Sequence, residues 1–546
     1  MNRSHPISLM TMKLTTLFLT LFIIQSCAPK DFSFIKKEVW YYSPESEIAM
    51  KFDSSGRKLS GQILKTDHAL ADVATFKARK IGNRLSIRTE NPGISKIRGK
   101  ITEKKDGFAI KATKNQKSEF TALKPRPFPQ PPFRYFDQIS ENTNRIETSY
   151  GKAPGYYSSL VIEDKLHIDY GQIVQEVAGN LKDNMFRDEI PLSMDIYLPE
   201  NDAQPKRPLV MLIHGGAFVA GDKRDKLPSA LAMHLASRGY VVVSVNYRMG
   251  YIFLPGMYSN LERCMYRATQ DVRAALRYMI ARADQFRIDP DQVFIGGSSA
   301  GGFLALLTAY MTQPEVWPAA RGNLLKAQSD LGCLDCSTNQ DKAFYQIKGV
   351  FNLWGAAPFP DLIDADERIP LLCIHGDRDE VIPIGYDYPF ANVSPALSSF
   401  FSKKVYGSAS VVDHTISMNI PSKLLVLQGA GHEPHLGPGN LMTSSYDDIQ
   451  VGISDFLSDQ LCPELPEIQG ERNINKQMKT PVYSAKTGTY NRFYWQVKGG
   501  LILQENALTA KVVWFSNAPE KSLLVAGKGL NGQIKTLEVP VNVSGF

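Results

Sequence analysis

Between residues 165 and 465, short apolar-rich runs alternate with segments whose apolar positions recur at helical spacing. Residues 209–213, 241–247, 293–296, 350–353, 371–375 and 424–427 have the length and composition of strands buried on both faces. Between them, residues 229–237 place Leu231, His234 and Leu235 on one helical face. Residues 268–282 do the same with Val272, Ala275, Leu276 and Met279, and residues 300–310 and 450–461 read as further helices. A chain that alternates in this way buries each strand between layers of helix, so the pattern predicts an α/β fold with a mostly parallel central sheet.

The flanks follow a different period. Residues 28–124 show alternating segments at 38–42, 84–89 and 108–112. Turn signals divide them: Ser54-Ser55-Gly56, Gly82-Asn83, Asn91-Pro92-Gly93 and Lys105-Asp106-Gly107. Strands at this spacing predict a small all-β barrel or sandwich. The run Lys124-Pro125-Arg126-Pro127-Phe128-Pro129-Gln130-Pro131-Pro132 can continue neither sheet nor helix, and opens a linker assigned to residues 125–164. The pattern returns to β over residues 466–546, with alternation at 490–499 and 511–515 and a hairpin signal at Asn531-Gly532. The 546 residues therefore divide into a leader (1–27), an all-β module (28–124), a linker (125–164), an α/β domain (165–465) and a second β module (466–546).

Composition changes this picture little, and the amino terminus changes it more. A hydrophobic content of 43% with 21% charged residues excludes wholesale disorder. The formal charge of +7 is not gathered into a basic block interleaved with aromatics, so no nucleic-acid partner is expected. After Met12-Lys13, residues 14–24 form an apolar run too short to span a bilayer, which suits an export signal. It ends in Ile24-Gln25-Ser26-Cys27, which resembles a bacterial lipobox. That resemblance implies lipid attachment at Cys27, a membrane anchor and a place in the cell envelope, on the outer membrane, at the cell surface or in the periplasm. No later run of 18 apolar residues predicts a transmembrane helix. In an oxidising compartment Cys333-Leu334-Asp335-Cys336 reads as a local disulfide, since a metal would need a second pair of ligands. Cys373 lies in an apolar run and reads as a buried thiol. No histidine pair shows HExxH or HxH spacing, so no metal is expected.

Two glycine-rich segments carry the chemistry. Gly297-Ser298-Ser299-Ala300-Gly301 stands directly after one predicted strand and directly before a helix. A sharp strand-to-helix turn with small neighbours is what presents a serine nucleophile, here Ser299. His214-Gly215-Gly216-Ala217-Phe218 follows an earlier strand. Backbone donors there can face the oxygen that becomes negative in acyl transfer. The expected donors are Gly216 and Ala217, with Gly215 able to share the role and the Ala300 N–H on the other side.

These segments resemble the α/β-hydrolase carboxylesterases. More narrowly, they are similar to the bacterial branch that includes feruloyl and acetyl-xylan esterases. The further stretches are 192–199, Gly221-Asp222-Lys223, Asn246-Tyr247-Arg248 and 271–277, and the resemblance covers about 300 residues. It departs from the HGGG pattern at Ala217. It implies a triad in the order serine, acid, histidine. The histidine position falls on His432 in Gly429-Ala430-Gly431-His432-Glu433, with His435 as rival. The acid falls on Asp379 in Ile374-His375-Gly376-Asp377-Arg378-Asp379-Glu380-Val381-Ile382-Pro383, similar to the superfamily's HGxxDxxVP loop, with Asp377 and Glu380 as competitors. His214 and His375 are expected to hold loop backbone. The resemblance implies hydrolysis of a carboxylic ester, with a substrate linked to carbohydrate as one option, and leaves the oligomeric state open. Residues 310–345 are expected to contribute a lid or acyl pocket. The carboxy-terminal module resembles PKD-like immunoglobulin-type domains. Two rival readings remain: a serine peptidase of prolyl-oligopeptidase type, and a non-catalytic glycan-binding lipoprotein.

Overall fold

A computed structural model describes residues 36–543 apart from 54–57, 82–83, 91–93, 95, 112–116, 125, 131–132, 156–188, 252–257, 323–328, 392, 394–397, 399–402, 463–464, 466, 487, 489 and 530–531. The leader, its Cys27, the domain boundary at 164/165 and Asn531 lie outside the described residues.

The amino-terminal strands are β1 (Trp40–Ser43), β2 (Ile48–Phe52), β3 (Lys58–Lys65), β4 (Leu70–Ala71), β5 (Ala74–Ile81), β6 (Arg84–Thr89), β7 (Ile97–Lys104), β8 (Gly107–Lys111) and β9 (Lys117–Ala122). All but β4 close into an eight-stranded antiparallel barrel, with β1 pairing both β2 and β9. Alternation drives the closure. Leu59, Ile63, Phe76, Leu85, Ile87, Ile101, Phe108 and Phe120 point inward to one core, and along β6 the inward residues alternate with exposed or half-buried ones. The expected small all-β module is this barrel.

The central sheet has eight strands: β10 (Thr143–Pro154), β11 (Glu189–Pro199), β12 (Arg207–Ile213), β13 (Val241–Val245), β14 (Ile288–Ser298), β15 (Ile347–Leu353), β17 (Leu371–Gly376) and β20 (Ser422–Leu427). Their order is β10-β11-β13-β12-β14-β15-β17-β20. β11 alone runs against the others, pairing antiparallel with β10 and β13, and the remaining pairings are parallel. Helices α1 (Lys226–Ala236), α2 (Tyr258–Ala281), α3 (Ala300–Tyr310), α4 (Ser408–Ser417) and α5 (Ser444–Leu461) accompany it. Separate cores on its two faces bury β12 and β13 completely. That double burial is why these strands read as unbroken apolar runs rather than as alternating ones. A small sheet of β16 (Ala356–Ala357), β18 (Tyr386–Asp387) and β19 (Val405–Gly407) stands beside it.

Two sequence expectations need correction. The segment 125–164 is not linker throughout, because β10 pairs with β11 over most of its length and the Tyr150 hydroxyl donates to the Asn246 carbonyl oxygen at 2.6 Å. Only the proline run lacks the N–H donors that a sheet requires. The two β modules are also not separate domains. The carboxy-terminal strands β21 (Asn473–Ile474) to β28 (Asn542–Val543) form small sheets whose side chains, among them Trp495, Val512, Trp514 and Val525, meet in one core with Ala69 and Leu70. The link is a parallel pairing of β4 with β25 (Thr509–Phe515). One compact unit thus takes the described residues of Met1–Pro129, Glu464–Lys528 and Lys535–Phe546, and the other those of Gln130–Pro463 and Gly529–Ile534. Pairing between strands over 400 residues apart leaves no local signature in the sequence.

Within the central unit, Arg248 and Asp271 form a buried fork. Arg248 Nε lies 3.0 and 2.9 Å from the two carboxylate oxygens, the Arg248 N–H donates at 2.8 Å, and Thr338 Oγ1 donates at 2.6 Å. Asp335, between the disulfide-bonded Cys333 and Cys336, accepts from Arg273 and Arg277 of α2. Removing one partner of a buried pair strands the other charge. Arg248→Ala is therefore expected to lower the stability of this unit by about 3–5 kcal/mol, read as a drop in its calorimetric transition; a change within about 0.5 kcal/mol would refute this.

Candidate active site

Ser299 follows β14 and caps α3 with φ 53° and ψ −119°, a conformation costly for a side chain with a β carbon. Its N–H donates to the Leu353 carbonyl oxygen at 2.9 Å, and its own carbonyl accepts from Gly302 and Phe303. The chain can turn this tightly only if the flanks are bare. A β carbon on Gly301 would lie 2.2 Å from the Ile213 carbonyl oxygen.

The histidine and acid arrive from the ends of the neighbouring strands. His432, past β20, holds Nε2 at 3.0 Å from Ser299 Oγ and Nδ1 at 2.8 Å from Asp379 Oδ2. Asp379, past β17, is fully buried at its side chain, and its Oδ1 accepts the N–H groups of Val381 and Ile382 at 2.9 Å each. Of the rivals, Asp377 and Glu380 are exposed, with Asp377 accepting the Gly429 N–H. His435 stacks on Trp354. Burial by itself would push the Asp379 carboxyl up; hydrogen bonds from His375 and His432 outweigh it and hold the carboxyl well below the usual range.

His375 does more than hold loop backbone. Its Nε2 faces two acceptors, the Ile382 carbonyl at 3.0 Å and Asp379 Oδ2 at 3.1 Å, so Nε2 carries the proton. Nδ1 then accepts from Ser408 Oγ at 2.7 Å, which in turn accepts from Asn352 Nδ2. This support was invisible in sequence, because Asn352, His375 and Ser408 come from three separate elements. His214 behaves as expected: its Nδ1 lies 2.7 Å from the Gly215 carbonyl, and its ring stacks on Tyr247.

The loop after β12 closes on the nucleophile. A β carbon at Gly215 would sit 3.3 Å from Ser299 Cβ. Val219 and Ala220 N–H both donate to the Gly216 carbonyl, turning the loop, and Ala217 tolerates a φ of 53° despite its methyl group. Ala300 is the first residue of α3, so its N–H has no intrahelical acceptor. Ser299, Ala217 and Ala300 line a pocket. Its remaining walls are apolar: Phe218, Tyr251, Tyr258, Leu261, Met265, Phe303, Pro358, Val381, Ile382, Pro389, Phe390 and Val405. No described residue of 310–345 lines it. The lid or acyl pocket expected there is not found among the described residues, where Gln270 Nε2 of α2 ties down Leu331 and Cys333 by donating to their carbonyls; residues 323–328 lie outside the described residues. Val381 and Ile382 were the one legible hint, being part of the acid loop.

Residues 194–366 match the BD-FAE family model. Over these residues the central unit is similar to α/β-hydrolases of the BD-FAE type. Carboxylesterase 3B of Mus musculus is 41% identical over 116 residues, 21% of this chain and 19% of that protein. The probable carboxylic ester hydrolase LipM of Mycobacterium tuberculosis is 32% identical over 208 residues, 35% of this chain and 46% of that protein. The chain spans less than half the length of these curated relatives. Among solved structures, Thermogutta terrifontis esterase 2 is similar over 51% of this chain and 92% of its own, at 14% identity and a TM-score of 0.36.

The buried carboxylate gives the central unit a defined acid response. A carboxyl depressed on folding contributes stability that is complete above its unfolded value near 4 and is lost as pH falls below it. Asp379→Asn should therefore unfold at lower urea than the unmodified chain at pH 6, with the gap narrowing at pH 3. A gap that stays constant or widens would contradict the assignment.

Proposed function

We propose that this protein is an exported serine carboxylesterase that works through an acyl-enzyme on Ser299. The observation that carries the reading is the unbroken chain Ser299 Oγ–His432–Asp379 at the end of a largely apolar pocket. In this reading Ser299 Oγ attacks the ester carbonyl as His432 Nε2 takes its proton. Asp379 fixes the tautomer and stabilises the imidazolium. The N–H groups of Gly216, Ala217 and Ala300, with Gly215 able to share the role, receive the negative oxygen. His432 returns the proton to the leaving alcohol, the carbon–oxygen bond breaks, and water attacks the acyl-enzyme with the same histidine as base. No cofactor takes part.

The substrate in this reading is an acetyl or feruloyl-type ester of an extracellular polysaccharide, or a small ester. Apolar walls suit the acyl part and exclude a charged one. The apolar run 14–24 and Cys27 support export and lipid attachment in a bacterial envelope, and the resemblance of residues 466–546 to PKD-like modules fits an extracellular protein.

Ser299→Ala should cut kcat/KM on p-nitrophenyl butyrate by at least about 10⁴-fold and abolish labelling by a fluorophosphonate. Equal turnover in both proteins would dispose of the mechanism. Met265→Trp, which fills the pocket wall, should lower the ratio of octanoate to acetate turnover by about tenfold; an unchanged ratio would move the acyl group elsewhere.

A further inference from the structure

The formal charge of this chain is concentrated in one place. Residues 40–122 carry 17 Lys and Arg against 9 Asp and Glu, a surplus of 8 that exceeds the whole chain's net +7. Between Ala74 and Lys100 the single acid is Glu90. Register places these cations side by side. Arg84 pairs with Lys100, Lys100 with Lys111, and Lys111 with Lys117, one row across β6, β7, β8 and β9. Two residues along, Arg79 opposes Ser86 and Ser86 opposes Arg98; two further, Lys77 opposes Arg88. All seven cations of β5, β6, β7 and β8 in these rows (Lys77, Arg79, Arg84, Arg88, Arg98, Lys100 and Lys111) are exposed. Among the described residues none of the seven pairs with a carboxylate; Glu119 pairs with Lys117 and Lys104 at the end of the row. Desolvation, with Arg98 and Arg88 adding to it, lowers the neighbouring Lys96 ammonium from its ordinary value.

Directly opposed like charges, with β carbons about 5 Å apart, destabilise a sheet. A solvated wall ordinarily mixes both signs. Lysines also protect free sheet edges, but a closed barrel has none. The arrangement therefore needs a partner that repays the repulsion. We propose that the outer wall of β5–β9 binds an acidic polysaccharide, a polymer carrying repeated carboxylate or sulfate groups. A row of cations at strand spacing meets a linear series of anions without reading any one of them. No large apolar or aromatic side chain is exposed on the barrel among the described residues. The wall thus lacks both the wedge that inserts into a bilayer and the rings on which bases stack. The choice of a polysaccharide rests on the proposed function above, and the barrel would tether such a polymer to the chain that carries the pocket, raising its local concentration.

The test is binding of the full chain, in non-ionic detergent, to immobilised polygalacturonate, beside neutral dextran and vesicles of phosphatidylcholine with and without phosphatidylglycerol. The expected result is binding to polygalacturonate but not dextran, weakened more than about tenfold between 50 and 200 mM salt. The variant Arg84→Thr/Lys100→Thr/Lys111→Thr should bind at least about tenfold more weakly, while Lys100→Arg/Lys111→Arg retains binding. Both variants should keep normal turnover of p-nitrophenyl butyrate, so a failed esterase reading and a failed binding surface are told apart. Equal binding to dextran, full binding by the threonine variant, or tighter binding to anionic vesicles than to polygalacturonate would each overturn the proposal.

Discussion

The site depends on how closely two backbones approach at the carboxyl ends of β12 and β14. Ser299 holds a positive φ because the chain leaves the middle of a parallel sheet and enters a helix within one residue. Gly301 brings α3 down onto the Ile213 carbonyl, and Gly297 would carry a β carbon 2.7 Å from the same oxygen. Ile213 ends β12, and the next residues are the loop of Gly215, Gly216 and Ala217. The contact that allows the strained serine therefore also sets the backbone donors beside it. A methyl group at either glycine would push helix and loop apart together.

Electrostatics complete what this packing begins. A carboxylate out of water is expensive unless its lone pairs are satisfied. Asp379 meets that requirement with two backbone N–H groups on one oxygen and two imidazoles on the other. His375, itself held by Ser408, keeps Asp379 aimed while His432 retains its contact with Ser299. The polar line ends at an apolar pocket, so the one reactive oxygen faces surroundings that favour a neutral acyl group.

The remainder of the chain follows a different logic. The barrel and the carboxy-terminal sheets share one unit because β4 pairs with β25 and because Tyr42, Ala49, Leu64 and Ala71 pack with Leu503 and Val513. Each module alone leaves part of its apolar surface uncovered. Closing one core between them buries it, and the described cations of β5–β8 stay on the outward, exposed positions of strands whose inward residues fill the barrel core.

By itself the sequence determined what is local. Period and run length announced the parallel strands, since burial on both faces allows only apolar residues there. Glycine spacing announced the turn at Ser299, since a β carbon at Gly297 or Gly301 would lie 2.4 or 2.2 Å from a backbone oxygen. The positions of His432 and Asp379 came from the resemblance of their loops, just past strands, to the superfamily's pattern. Tertiary structure alone decided what depends on register and crossing. It made β10 the edge of the central sheet, joined two β segments into one unit, and brought Asn352, Ser408 and His375 behind the acid. It also chose the pocket walls from α2 and the loops around residues 381–405 rather than from the disulfide segment. These contacts link residues far apart in the chain, and side chains that meet only across a core carry no shared pattern along the backbone.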